Sequence, residues 1–448
     1  MYNQIIKKND EYIVDIIDYG ANGEGIAKID GYTIFVQNAL KGEKCKIHIL
    51  KVLSSHAFAK VEEVLEESTH RVIPDCITYG RCGGCDLRHV DHEETLKIKQ
   101  EKVQNLVNKM LDEKIIVSET IGMENPIFYR NKAIFPISQN KEVGLFAKRT
   151  HDIVEIKECK IQTKISQDIA KYIVSNWKYS IYDEKTKKGL LRSIMIREGF
   201  YTHEIMCLLV LSKKVNIKID VKELINKFPN IKTIVLNINE KDTNVVLGKE
   251  NIPIYGEGYI IDKLGDYTFK ISPNSFYQVN PIQTVKLYNL AMEKANLKQE
   301  DVLCDLYCGI GTIGIFAANF VKKVIGIEIV EDAIKDAKEN AKLNNIQNIQ
   351  FILGDVEQAF TKLLNNNIKP NVIIVDPPRK GLDKETISNL NKLKLERLIY
   401  ISCNPASLVR DLKELEKVYD IKEICPVDNF PYTAHVECVA LLQLEQDM

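Results

Sequence analysis

The sequence predicts a multidomain α/β protein whose C-terminal part is a doubly wound sheet. Three observations carry this. The chain has 448 residues, enough for roughly two to four domains. From Val302 onward, short apolar runs alternate with helical periods, which calls for a parallel sheet with right-handed crossovers. Residues 1–65 instead alternate short β-like runs with glycine turns, as in a small closed barrel.

Bulk properties exclude some classes. Hydrophobic residues make up 45% and charged residues 27%, ordinary for a globular protein with a core. No apolar run approaches the ~20 residues of a membrane span. The start, Met1 to Lys8, lacks the order of a signal peptide, so a cytoplasmic protein is expected. The net charge of −1 shows no basic excess for nucleic acid, which leaves room only for a local basic face. Eleven cysteines then read as metal ligands, catalytic thiols or core residues rather than disulfides.

In chain order, Tyr12–Ile17, Gly31–Val36 and Cys45–Leu50 are the clearest barrel strands. A structural β module and an oligonucleotide-binding barrel fit this pattern equally. Residues 66–270 form a central α+β domain. It opens with a cysteine cluster and an amphipathic helix over 92–113, placed to pack on the last domain. Residues 271–448 carry strands at Val302–Leu306, Lys323–Glu328, Gln350–Leu353, Val372–Val375 and Leu398–Ile401, with helices to about 320, over 331–343 and over 405–417. The asparagine run at 365–367 reads as a loop. Ligands of such sheets bind outside the carboxyl ends of the strands, where a glycine loop, Glu328, Asp376 and Cys403 all fall.

Gly309, Gly311 and Gly314 spell G-x-G-x-x-G, and Glu328 ends the next strand. Such a loop serves a dinucleotide or, with an acid such as Asp305 nearby, S-adenosylmethionine; as a bare turn it would mean nothing. A nicotinamide-dependent oxidoreductase is therefore one reading. Asp376-Pro377-Pro378-Arg379 speaks against it, because the prolines fix the exit of a strand and aim Asp376 at the cleft. In Ser402-Cys403-Asn404-Pro405, Asn404 suits a helix N-cap and Pro405 the first helical position. Cys403 then sits between strand and helix, where a thiol pKa is expected to be lowered. His435 and Glu437 alternate ahead of an apolar strand, and burial would raise Glu437 toward neutrality as a general base. Cys76, Cys82 and Cys85, with Cys159 as a fourth, suit structural zinc or an iron–sulfur cluster. Tyr129-Arg130-Asn131-Lys132 reads as a nucleic-acid contact segment.

Taken together, these segments resemble the RNA (uracil-5-)-methyltransferases, especially those of bacterial 23S rRNA, over nearly the whole chain. The resemblance implies a Rossmann-like methyltransferase domain, an N-terminal TRAM barrel and a central domain with a [4Fe–4S] cluster on Cys76, Cys82, Cys85 and Cys159. It implies S-adenosylmethionine held by Gln278 (in Ser272 to Asn280), Tyr307, Glu328 and Asp376. Cys403 would be the nucleophile that adds to uracil C6, and Glu437 the base that removes the C5 proton. The implied partner is RNA, most of all 23S rRNA, with tRNA as the alternative. No membrane or protein partner is implied.

Overall fold

The structure is a computed structural model that describes residues 6–112, 114–243, 245–365 and 368–444. Alternating apolar positions near the N-terminus form a six-stranded sheet. Its spatial order is Glu11–Asp15, Lys44–Val52, His56–Glu66, Tyr32–Gln37, Gly25–Ile29 and Asp18–Tyr19. Ile34, Val36, Cys45, Ile47, Ala57 and Ala59 close a core of its own. Phe35, His56 and Phe58 cluster edge-to-face and stacked away from that core.

The central sheet runs Glu250–Tyr255, Ile231–Ile238, Ile205–Leu211, Leu191–Glu198, Lys132–Pro136. Helices Lys164–Ser175 and Val221–Lys227 cover one face through Ile169, Ile173 and Leu224. On the other face Met195, Met206, Leu208 and Val235 share a core with Leu287 of the helix Pro281–Ala295 and with Leu303, Ile374 and Ile399 of the C-terminal sheet. A second seam comes from the helix His92–Met110. Asp91 caps it by accepting from the Glu94 amide at 2.8 Å. Its buried Val103 and Val107 join Leu408 and Leu412 in one core. It stops short of residue 113 because Leu111 turns extended (φ −90°, ψ 149°) and buries its own side chain in that core. Among the described residues no helix is long and apolar enough to cross a membrane.

The C-terminal sheet has seven strands in the order Ile349–Leu353, Lys323–Glu328, Val302–Leu306, Val372–Val375, Arg397–Ser402, Glu437–Leu444, Tyr419–Val427. The first five are parallel. The sixth in this order runs antiparallel to both neighbours. A wholly parallel sheet, as the alternation predicts, would need a crossover helix before the last strand; the chain instead returns from Tyr419–Val427 through 428–436 without one, which an antiparallel pair permits. The return brings Glu437 to the edge where Ser402 ends. It also departs from the six-stranded parallel order of dinucleotide folds. In the asparagine run, Asn365 ends the helix Val356–Asn365, and residues 366–367 lie outside the described part.

Candidate active site

Strand Val302–Leu306 ends in a backbone that only a few residue types tolerate. Tyr307 has φ 67°, Gly309 φ 55° and Gly311 φ 82°, all in the left-handed region that glycine occupies freely. A Cβ at Gly311 would stand 2.9 Å from the Phe351 ring, whereas one at Gly309 would meet nothing within 4 Å. Gly311 is thus needed for packing, and Gly309 borders open space. The loop is tied down by carboxylates. Asp305 Oδ2 accepts from the Gly314 amide (2.9 Å), and Glu328 accepts from the amides of Gly309 (3.1 Å) and Val330 (2.8 Å).

This end of the sheet gathers acids, and among the described residues no cation is among the charges acting on Asp305 or Asp376. Asp305 is fully buried and its Oδ1 has no partner. Burial, Asp376 and Glu328 hold its carboxyl well above the usual range. Asp376 keeps part of its surface in the cleft, and burial pushes it up to about 7. A pyrophosphate brought here would oppose the ionisation of these carboxyls still further and find no cation acting on Asp305 or Asp376 among the described residues, so the site does not favour the oxidoreductase reading. A cationic ligand with hydroxyls would relieve the repulsion, and the open space at Gly309 lets its body approach the backbone. The donor set therefore fits S-adenosylmethionine. Tyr307 is half-buried, packs against the sheet core and lies beside Thr386, so it lines this end from below.

Gln278 is buried, and the segment around it is fastened from three sides. Ser272 and Ser275 donate to Asp336 (2.9 and 2.5 Å). Asn131 Nδ2 donates to the Gln278 carbonyl (3.0 Å). Asn280 caps the helix Pro281–Ala295 and donates to the Asn429 carbonyl (3.2 Å). The Asn429 amide meets Gln278 Oε1 at 3.4 Å and also the Glu437 carboxyl. Asn429 thus joins the segment to Glu437, a role that sequence reasoning missed. Its signal was the run Asp428-Asn429-Phe430-Pro431 just ahead of His435.

Cys403 stands half-buried after strand Arg397–Ser402, at the N-terminus of helix Pro405–Leu415. Asn404 caps that helix through the Ala406 amide (3.3 Å) and donates to the Arg379 carbonyl (2.9 Å). Ser402 pairs with Cys438 across the antiparallel strands. One step further in the same register, Cys403 falls beside Glu437. The expected lowering of the thiol pKa is not found. Burial, then Glu437 and Asp376, push Cys403 up to about 11, and Arg379 acts the other way. A helix N-terminus cannot outweigh two carboxyls and desolvation. Glu437 is buried; burial and Asp376 push it up to about 8, the direction expected. His435 lies exposed, although Arg379 acts on both it and Glu437.

Cys76, Cys82, Cys85 and Cys159 come together around one small cavity of about 20 Å³, walled by Leu145, Ile156 and Ile161. Gln167 pins Cys159 through its amide (2.7 Å) and carbonyl (2.9 Å), and the Gly84 amide donates to Cys82 Sγ (3.3 Å). Among the described residues, no three His, Cys, Asp or Glu side chains close around a single metal ion. Of the expected contact segment, Tyr129 and Asn131 are buried. Tyr129 donates to the Pro431 carbonyl (3.1 Å), so it positions the 428–436 loop and is not free to stack on a base.

The profile of the tRNA (uracil-5-)-methyltransferase family matches residues 91–445, and that of the TRAM domain matches residues 7–61. An uncharacterised RNA methyltransferase of Clostridium tetani is 43% identical over 98% of this chain and 97% of its own length. One from Staphylococcus aureus (strain COL) is 41% identical over 99% of this chain and 100% of its own. Among solved structures, the Pyrococcus abyssi tRNA (uracil-54, C5)-methyltransferase in complex with S-adenosyl-L-homocysteine is similar, with a TM-score of 0.78 and 28% identity over 96% of this chain and 99% of that one.

Proposed function

Because this chain belongs to the tRNA (uracil-5-)-methyltransferase family and carries a TRAM domain, we propose that it methylates C5 of a uridine in RNA through a covalent bond between Cys403 and C6 of the base. The observation that carries the proposal is the register that sets Cys403 beside Glu437, at the sheet edge where Asp305, Glu328 and Asp376 also converge. S-adenosylmethionine supplies the methyl group as a positively charged sulfonium. Gln278, Tyr307, Glu328 and Asp376 are the residues we assign to holding it. Uracil C5 is a poor nucleophile until a thiolate adds at C6 and makes C5 enolate-like. C5 would then take the methyl as its bond to the sulfonium breaks, leaving S-adenosylhomocysteine; Glu437 takes the C5 proton, and the bond between Cys403 and C6 breaks to restore the ring. The target base must leave its stack to reach Cys403, at a cost of a few kcal/mol that single-stranded loops largely avoid.

The RNA class we assign is 23S rRNA, from the resemblance of the motifs along the chain. The similarity to the Pyrococcus abyssi enzyme, over 96% of this chain, favours tRNA as the second reading. Mapping 5-methyluridine in cells with and without the gene separates them. Loss of the nucleoside from one 23S position supports the first, loss from tRNA replaces it with the second, and an unchanged map in both overturns the function.

The four cysteines suit a [4Fe–4S] cluster better than one ion, because a four-iron cube holds its thiolates farther apart than a tetrahedral zinc does. That all four line one cavity supports a single shared group. We assign the cluster to ordering the central domain, since the methyl transfer needs no electron. Anaerobically purified protein is expected to carry about four iron and about four sulfide per chain and to lose RNA affinity when they are chelated. A single zinc, or RNA affinity unaffected by iron loss, removes the assignment.

A further inference from the structure

Two cations face each other in the central sheet without an acid between them. Strands Lys132–Pro136 and Leu191–Glu198 pair antiparallel, and their register sets Lys132 directly opposite Arg197. Residues opposite each other share a face, and like charges in such a pair are destabilising. The face is the one that Met195 and Ile134 pack against the C-terminal domain, so both cations look into the seam between the domains. Arg197 is 1% exposed. Its guanidinium donates only to neutral acceptors, the carbonyls of Ser275 (3.1 Å from both terminal nitrogens) and Ser272 (3.4 Å), and its Nε is buried without a partner. Lys132 stands in front of it and is half-buried.

The surroundings do not neutralise the pair. The charges acting on Lys132 are Arg197 and Arg130, and with burial they push its ammonium down to about 7. Besides Lys132, the titratable group acting on Arg197 among the described residues is Tyr277. Glu198, next in sequence, points to the opposite face, as strand alternation requires. An uncompensated buried cation costs several kcal/mol; folding retains it when a ligand supplies the missing charge.

We propose that Lys132, backed by Arg197, is an anion site that takes a phosphodiester group of the RNA next to the target nucleotide. The position fits. The intervening Asn131 bonds the Gln278 carbonyl through its side chain and the Val279 carbonyl through its amide (3.0 and 2.9 Å). Tyr129 bonds the Pro431 carbonyl in the loop that leads to Glu437. A phosphate held at Lys132 would therefore lie against both the cofactor segment and the catalytic loop, and would fix the backbone from which the uridine turns. A lysine suits this task as a point charge that needs no fixed fork geometry. The inference rests on RNA being the substrate, but its test does not require methylation.

The test is the affinity of Lys132→Gln for a short oligouridylate across a salt series, beside its affinity for S-adenosylhomocysteine. RNA binding is expected to weaken about tenfold, and the slope of log Kd against log salt to fall by roughly 0.7–0.9, the worth of one phosphate contact. S-adenosylhomocysteine affinity should stay within about twofold, since no contact with the cofactor is assigned to Lys132. Lys132→Arg should retain the slope. The melting temperature of Lys132→Gln should hold or rise, because a like-charge pair is relieved. An unchanged salt slope overturns the proposal. So does loss of S-adenosylhomocysteine affinity, which would make this a site for the amino-acid carboxylate, and so does a marked fall in melting temperature, which would make Lys132 structural. If these results hold while no uridine is methylated, the site stands and the proposed reaction falls.

Discussion

Cys403→Ala is expected to lose methyl transfer by ~10⁴-fold or more and to bind S-adenosylhomocysteine within about twofold of the parent. The two readouts separate because Gln278, Tyr307, Glu328 and Asp376, which we assign to the cofactor, belong to other segments, while the thiol makes the only bond proposed to the pyrimidine. The resting protein holds that thiol neutral. At about 11, only ~1 in 10⁴ molecules carries a thiolate at pH 7. The proton must therefore leave as the carbon–sulfur bond forms, and bulk ionisation beforehand is not the route. Asp376, at about 7, is the neighbouring group whose range suits receiving it, which leaves Glu437 for the C5 proton. Turnover by Cys403→Ala within tenfold of the parent would remove covalent catalysis from the proposal.

Glu437→Gln should form the carbon–sulfur bond and fail to break it. The amide cannot take the C5 proton, so methylated RNA stays attached, and a slowly migrating band appears on a denaturing gel. Turnover is expected to fall ~10²–10⁴-fold, with about one methyl per chain transferred before that slow phase. Absence of the band at any time point would deny Glu437 the role of base. The same variant reports on the buried carboxyl by its stability. The folded state raises Glu437 from 4.5 to about 8. Its contribution to stability is therefore complete below the unfolded value and is lost as pH rises through about 8. Between pH 6 and pH 9 the parent should lose on the order of 2–3 kcal/mol more than Glu437→Gln. Denaturant midpoints of the cofactor-free proteins across that range measure the difference. Parallel curves would mean that Glu437 is ionised in the folded protein.

Much of the C-terminal sheet could be read residue by residue. Val302–Leu306, Lys323–Glu328 and Val372–Val375 are short apolar runs closed by glycine, acid or proline, and buried parallel strands have that form. The helix Glu331–Leu343 followed from its period. The helices Pro281–Ala295 and Lys384–Leu393 were not marked out, although Asn280-Pro281 and Asp383 with Glu385 are helix-start signals. The direction of Glu437–Leu444 was beyond reach, since an apolar run looks alike whichever way it is threaded.

The sequence alone determined the chemical inventory: a glycine loop after a strand, acids at strand ends, one cysteine between a strand and a helix, and four thiols in two distant segments. Those are local patterns, set by backbone sterics and by the period of burial. Only the tertiary structure decided which of them meet and in what charge state. The antiparallel return set Glu437 beside Cys403, and burial, with that neighbour and Asp376, reversed the expected sign of the thiol shift. The central sheet placed Lys132 against Arg197, a conflict invisible in a sequence whose net charge is −1. The physical reason is one of range: steric and hydrophobic preferences act between residues close along the chain, whereas burial and Coulomb forces depend on distance through space.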